Sequence, residues 1–217
     1  MSTSTRTWPS IAAQAERLIE LGVDRISGLP ADEIRRMAAG SVVPDTGDAL
    51  LVLPAKLAPA SLLASLLRHG GKPGFVVVDM PDLDDFLPIE GVTVPGTAGY
   101  LVHGLERGDE MANWSPDEAL PAITGAGRTP LTVVEGIHWL LQQPDVLERN
   151  YCFMTIASRK RTAKGKLDTR TPAIWISNGT GRDGKATRNA PKIGWCWAGN
   201  RHTWLGFASA AGRLPIG

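Results

Sequence analysis

Two cysteines in 217 residues are too few for a disulfide framework, and Cys152 and Cys196 lack the C-x-x-C spacing of a redox or zinc site. That scarcity points to a reducing cytoplasm. No run approaches the roughly 18 apolar residues of a membrane span, and the polar opening MSTSTRTWPS has no apolar centre of the kind a signal peptide needs. A disulfide-stapled secreted domain and a membrane protein are therefore not expected. Catalytic signatures are equally scarce. The chain holds no G-x-S-x-G and no H-E-x-x-H. GGKPG resembles a phosphate loop only superficially, because Gly70 to Gly74 closes a helix and precedes a strand, with no Ser or Thr after Lys72. No internal repeat is visible. Neither a cofactor nor a metal is expected.

What remains is the composition of an ordinary globular protein, 43% hydrophobic and 21% charged. A chain of this length buries roughly 70% of its unfolded surface in one core, so residues 1–217 are expected to form a single compact domain. Its charge is uneven. The part from Tyr151 onward holds twelve Lys or Arg against two Asp, a formal +10, whereas residues 1–150 carry −9. Such asymmetry suggests an anionic partner for the basic half. Two halves of opposite sign also attract each other, and both readings stay open.

Apolar periodicity divides the chain in the same place. PSIAAQAERLIELG and PADEIRRMAAG read as amphipathic helices, the first with Ser10 as N-cap. ALLVLP and GFVVVDM are continuous apolar runs separated by the helical spacing of APASLLASLLRHGG, which predicts a small βαβ core of parallel strands. A third strand, GYLVHGL, follows. SPDEALPAI and TVVEGIHWLLQQ then form a helical pair, each opened by a capping box, Ser115 with Glu118 and Thr132 with Glu135. After Asn150 the texture becomes β-branched and aromatic. YCFMTIAS, PAIWIS, KIGWCWA and HTWLGFAS predict a C-terminal antiparallel sheet of about four strands in chain order. The fold class is α+β.

Candidate sites follow from this layout. In a parallel sheet, ligands gather beyond the carboxyl ends of the strands, which would bring Lys56 and Asp79 to one edge. The acidic run around Asp79 fits no calcium loop. In the stretch IGWCWAGNRHTWLG, alternation places Trp195 and Trp197 on one strand face and Cys196 on the other. After a turn at Gly199 and Asn200, His202 and Trp204 share a face, which makes the whole stretch a hairpin. Some of Trp175, Trp195, Trp197 and Trp204 could form a stacking platform beside Arg159, Lys160, Arg161 and Arg201. Cys196 with His202 would be the nucleophile and base of an enzyme. Of the other histidines, His69 suits a helix C-terminus and His138 a helix interior, both structural, while His103 ends a strand beside Glu106.

The motifs LTVVEGIHWL and IGWCWAGNRHTWLG, with AIWIS between them, resemble an uncharacterised, mainly actinobacterial family known only as a domain of unknown function. The resemblance implies a shared fold and a cytosolic bacterial protein, and it supplies no catalytic residues. The chain departs from the family pattern in two longer basic loops and in Arg201, which stands where the pattern has proline. The leading expectation is a non-catalytic binding or accessory protein whose basic, Trp-rich sheet meets a nucleic acid or a phosphorylated ligand. A small enzyme with a pocket between helices and sheet, and a protein-interaction module or homo-oligomer, are the alternatives.

Overall fold

Ser10 begins the first helix as expected. Its Oγ accepts a hydrogen bond from the Ala13 N–H and caps α1, Ile11–Glu20, whose Ile11, Gln14, Ala15 and Leu18 are buried. The computed structural model describes residues 8–44 and 47–217, so the start of the polar opening stretch lies outside the described residues. A short α2, Val23–Ser27, leads to α3, Ala31–Ala39, which buries Ile34, Met37 and Ala38 as its periodicity requires. The remaining helices are α4, Ala60–Ala64, α5, Pro116–Gly125, and α6, Val133–Gln142. Among the described residues no helix is long and apolar enough to cross a membrane.

Two main sheets accompany them, and the α+β class holds. Their strands are β1 Ala49–Val52, β2 Phe75–Val76, β3 Tyr100–His103, β4 Cys152–Met154, β5 Arg170–Ile176, β6 Pro191–Trp197, β7 Leu205–Phe207 and β8 Gly212–Pro215. The three-stranded sheet has the order β1-β3-β8 and is antiparallel throughout. The five-stranded sheet has the order β7-β4-β5-β6-β2, antiparallel in the middle and parallel at both edges.

This topology corrects two expectations. The apolar runs ALLVLP and GFVVVDM do not pair as βαβ: β1 lies against β3, whereas β2 joins the other sheet beside β6. The segment between them is not one helix. It is the single turn of α4 followed by a β-ribbon, Arg68–His69 against Lys72–Pro73, reversed at Gly70 and Gly71 with φ of 54° and 77°. Paired positive φ values define a tight hairpin turn, so the glycine pair expected to close a helix reverses a ribbon. The second correction is the C-terminal meander. β4, β5 and β6 follow in chain order, but β7 crosses to the far edge and lies parallel to β4, with Leu205 opposite Cys152. A two-residue hairpin needs positive φ in its turn, and neither Gly199 nor Asn200 adopts it. Ala198 N–H instead returns to Thr169 O at 2.8 Å, and the chain leaves the sheet.

Helix α6 links the two sheets. It is buried from Val133 through Leu141. At Gly136 a β-carbon would stand 2.7 Å from Thr155 Cγ2 and 3.1 Å from Phe153 Cε2, so only glycine lets the helix approach the five-stranded sheet this closely. On its other side, His138 reaches Leu53, the residue that follows β1. Its Nδ1–H donates to Val134 O at 2.9 Å and its Nε2 accepts the Leu53 N–H at 3.3 Å, which fixes the neutral tautomer; burial pulls its pKa down to about 4. Gln14 serves the same open strand, donating to Ala49 O at 2.7 Å and accepting from Leu51 N–H at 2.8 Å. The free edge of β1 and its continuation at Leu53 are thus satisfied by side chains of α1 and α6.

Both capping boxes form as the sequence predicts. The second does more than cap. Glu135, with no exposed surface, accepts from Thr132 N–H at 2.7 Å, Tyr100 O–H at 3.0 Å, and Arg213 through Nε at 2.6 Å and Nη2 at 2.8 Å. Arg213 also reaches Thr129 Oγ1 and Pro130 O. One carboxylate therefore ties the start of α6 to β3 and β8. Removing one partner of a buried pair strands the other charge. Glu135→Gln should lower the urea-unfolding free energy by about 3–5 kcal/mol; a loss below about 1 kcal/mol, the range of an exposed pair, would mean that the pair does not anchor the sheet.

Candidate functional site

The register of β5 against β6 sorts the aromatic residues. Trp175, Ala173 and Thr171 share a sheet face with Lys192, Gly194 and Cys196; Ile174, Ile193, Trp195 and Trp197 occupy the opposite one. The alternation expected for Trp195, Cys196 and Trp197 therefore holds. A β-carbon at Gly194 would lie 2.6 Å from Trp175 Cη2, so the glycine makes the slot in which this indole rests. Lys192 Nζ lies 4.8 Å from the centre of the Trp175 ring and 2.6 Å from Asp183.

The crossover to β7 brings Trp204 to Trp175. Their ring centres are 6.1 Å apart at 64°, and His202 lies against Trp204 at 5.3 Å. Beside the pair opens a cleft of about 180 Å³ lined by Arg149, Asn150, Cys152, Trp175, Ile176, Asn178 and Trp204. Arg149 is held from both feet of the loop between β5 and β6: Nη1 donates to Asn178 Oδ1 and Nη2 to Asn189 Oδ1, each at 2.7 Å. These amide oxygens orient the guanidinium without cancelling its charge. Asn150 and Asn189 take the left-handed backbone, with φ of 69° and 71°, which a short polar side chain tolerates.

Other predicted site residues lie elsewhere. Trp195 and Trp197 form their own pair at 4.5 Å, with Trp197 46% exposed, on the face away from the cleft. Most of the basic residues have acidic or carbonyl partners. Arg159 donates to Asp168 O, Lys160 sits 3.0 Å from Asp82 and 2.7 Å from Asp85, and Arg161 donates to Gly165 O. Arg170 fixes Asp82 and Asp168 together, and its hydrogen bond holds the Asp82 carboxyl well below the usual range. Arg201 is paired with Glu118. Much of the charge asymmetry is thus answered within the chain.

The catalytic candidates are not assembled. Asp79 pairs with Arg182 at 3.1 Å, while Lys56 donates to Gly96 O at 3.2 Å. Since β1 and β2 belong to different sheets, the common strand edge expected for them does not exist. Burial pushes the thiols of Cys152 and Cys196 up to about 11, and Cys152 donates to Glu148 O. Burial also lowers the pKa of His202, whose Nε2 is enclosed without a hydrogen-bond partner. A thiolate–imidazole couple would show the opposite trend at sulfur. His69 stands in the ribbon, not at a helix end, with Nδ1 2.9 Å from Asn189 O. Among the described residues, no three His, Cys, Asp or Glu side chains are grouped to hold a metal ion.

Fold and site together define an α+β protein with an aromatic cleft at one end of a mixed sheet. Residues 17–216 match the model of a family of unknown function (DUF5701), and the chain belongs to that family. No curated protein and no solved structure matches it. Arg149, Asn150 and Asn178 were missed in the sequence because they flank strand ends that only the crossover brings beside Trp204. Protonated thiols carry a direct consequence: between pH 7 and 9, iodoacetamide should modify the native protein slowly, with a rate that rises about tenfold per pH unit and reaches no plateau. A plateau below pH 9 would show an activated cysteine instead.

Proposed function

We propose that this protein is a binding protein that holds a small anionic ligand in the Trp175–Trp204 cleft, with Arg149 meeting the ligand's charge. The observation that carries this reading is the convergence of two indoles and an amide-oriented guanidinium on one opening. A ligand site of this kind is a concave, partly aromatic surface with a few fixed polar groups. The protonated thiols favour binding over nucleophilic chemistry. The internal pairing of Lys160, Arg170 and Arg201 favours a small ligand over a nucleic-acid strand, which would need those cations free along its backbone. Two unpaired cysteines suit a reducing cytoplasm as its place of action.

Two of the seven tryptophans, Trp175 and Trp204, line this cleft, so occupancy of it alters part of the protein's fluorescence. Across a panel of small organic and inorganic anions, at least one should quench or shift the emission, and Arg149→Met should weaken its binding by roughly tenfold or more, as loss of a charge-assisted hydrogen bond implies. If only oligodeoxythymidylate binds, with an affinity that falls steeply with salt, the basic surface is a nucleic-acid interface and the cleft reading is wrong. If no anion perturbs the emission, the reading fails as well.

A further inference from the structure

We infer that the cleft takes a compact aromatic monocarboxylate, a single ring system bearing one carboxylate, an inference that rests on the anion-binding reading above. Volume sets the first limit. At about 180 Å³ the cleft lies below the roughly 300–1,000 Å³ of sites for drug-sized ligands. One ring and a small acidic group fill such a space, whereas the remainder of a nucleotide would extend out of the open cleft without partners among its lining residues.

Charge sets the second limit. Arg149 is the one cationic residue among those lining the cleft, accompanied by the neutral amides of Asn150 and Asn178. Lys192, on the Trp175 ring, is committed to Asp183. One guanidinium balances a monoanion, while a phosphate monoester near its dianionic state would bring a second negative charge with no second cation in the lining to meet it. Geometry points the same way. A guanidinium carries five N–H donors in a planar fork, more than the two amide oxygens of Asn178 and Asn189 occupy, and that fork matches the two oxygens of a carboxylate.

The rest of the lining suits an aromatic ring. Trp175 and Trp204 meet at 64°, so their surfaces form a corner in which a third ring can stack on one indole and meet the other edge-on. Ile176 and the protonated thiol of Cys152 complete an apolar side. The thiol behaves there as a small hydrophobe.

Isothermal titration of the full-length protein with benzoate, indole-3-carboxylate, cyclohexanecarboxylate, inorganic phosphate and adenosine 5′-monophosphate separates the outcomes. Benzoate or indole-3-carboxylate should bind, cyclohexanecarboxylate at least several-fold more weakly, and the two phosphates not measurably. Arg149→Met and Trp204→Leu should each reduce aromatic carboxylate affinity by roughly tenfold or more, with Arg149→Lys, which keeps the charge but not the fork, between wild type and Arg149→Met. Thermal melts of each variant identify any that fail to fold, and the order of ligands on the wild-type protein tests the inference without them. Binding of phosphate or the nucleotide in place of the carboxylates, still dependent on Arg149, would overturn the ligand class and leave the anion-binding cleft standing. Carboxylate binding that ignores Arg149 would overturn the inference, and the absence of binding by every anion would remove both readings.

Discussion

Glu135 has no surface in water, and an unpaired carboxylate in that position would cost far more than the helix it caps contributes. Its four donors come from Thr132 at the start of α6, Tyr100 in β3, and two nitrogens of Arg213 in β8. The desolvation penalty is met only when helix and three-stranded sheet are both in place. Folding of these pieces is therefore interdependent. Burial, together with the neighbouring carboxylate, also raises the Tyr100 hydroxyl well above its ordinary pKa, so it remains a donor to Glu135 across the physiological range.

From that anchor, position passes outward through close contacts. α6 lies on the five-stranded sheet at Gly136, where Phe153 and Ile174 occupy the space a side chain would need. The next face of the same sheet holds Trp175 in the slot left by Gly194. β7, paired to β4 beyond it, delivers Trp204 to the indole, and the two feet of the β5–β6 loop orient Arg149. The cleft is thus built on strand ends that a buried helix fixes, the arrangement that gives a binding site its rigidity.

Local rules carried the legible part of the fold. Ser10, Ser115 with Glu118, and Thr132 with Glu135 mark helix starts because a cap concerns only a few adjacent residues. The antiparallel order of β4, β5 and β6 was equally readable from alternation and loop composition. The βαβ expectation failed because a short apolar run announces burial on two faces, not the strand that will lie beside it. ALLVLP is buried by helices and by an antiparallel neighbour alike. The hairpin read into IGWCWAGNRHTWLG failed at two residues, Gly199 and Asn200, whose types permit the turn but whose conformation does not make it. That single difference puts two strands, β4 and β5, between the β7 edge that Trp204 leads into and the strand of its sequence neighbours Trp195 and Trp197, and brings Trp204 next to Trp175. The tryptophans were visible as candidates, while Arg149 and Asn178 carried no pattern, since their role arises from loops that meet only after the crossover. Opposite charge in the two halves is mostly internal, with Asp79, Asp82 and Asp85 answered by Arg182, Arg170 and Lys160.

The claim on which the functional account stands is that the crossover creates a cleft able to seat an anion beside two indoles. A crystal structure of the protein grown with benzoate tests it at the level of atoms. The account predicts the carboxylate on the Arg149 guanidinium and the ring against Trp175 and Trp204. Benzoate seated elsewhere, or a β7 strand paired with β6 so that Trp204 lies far from Trp175, would contradict it.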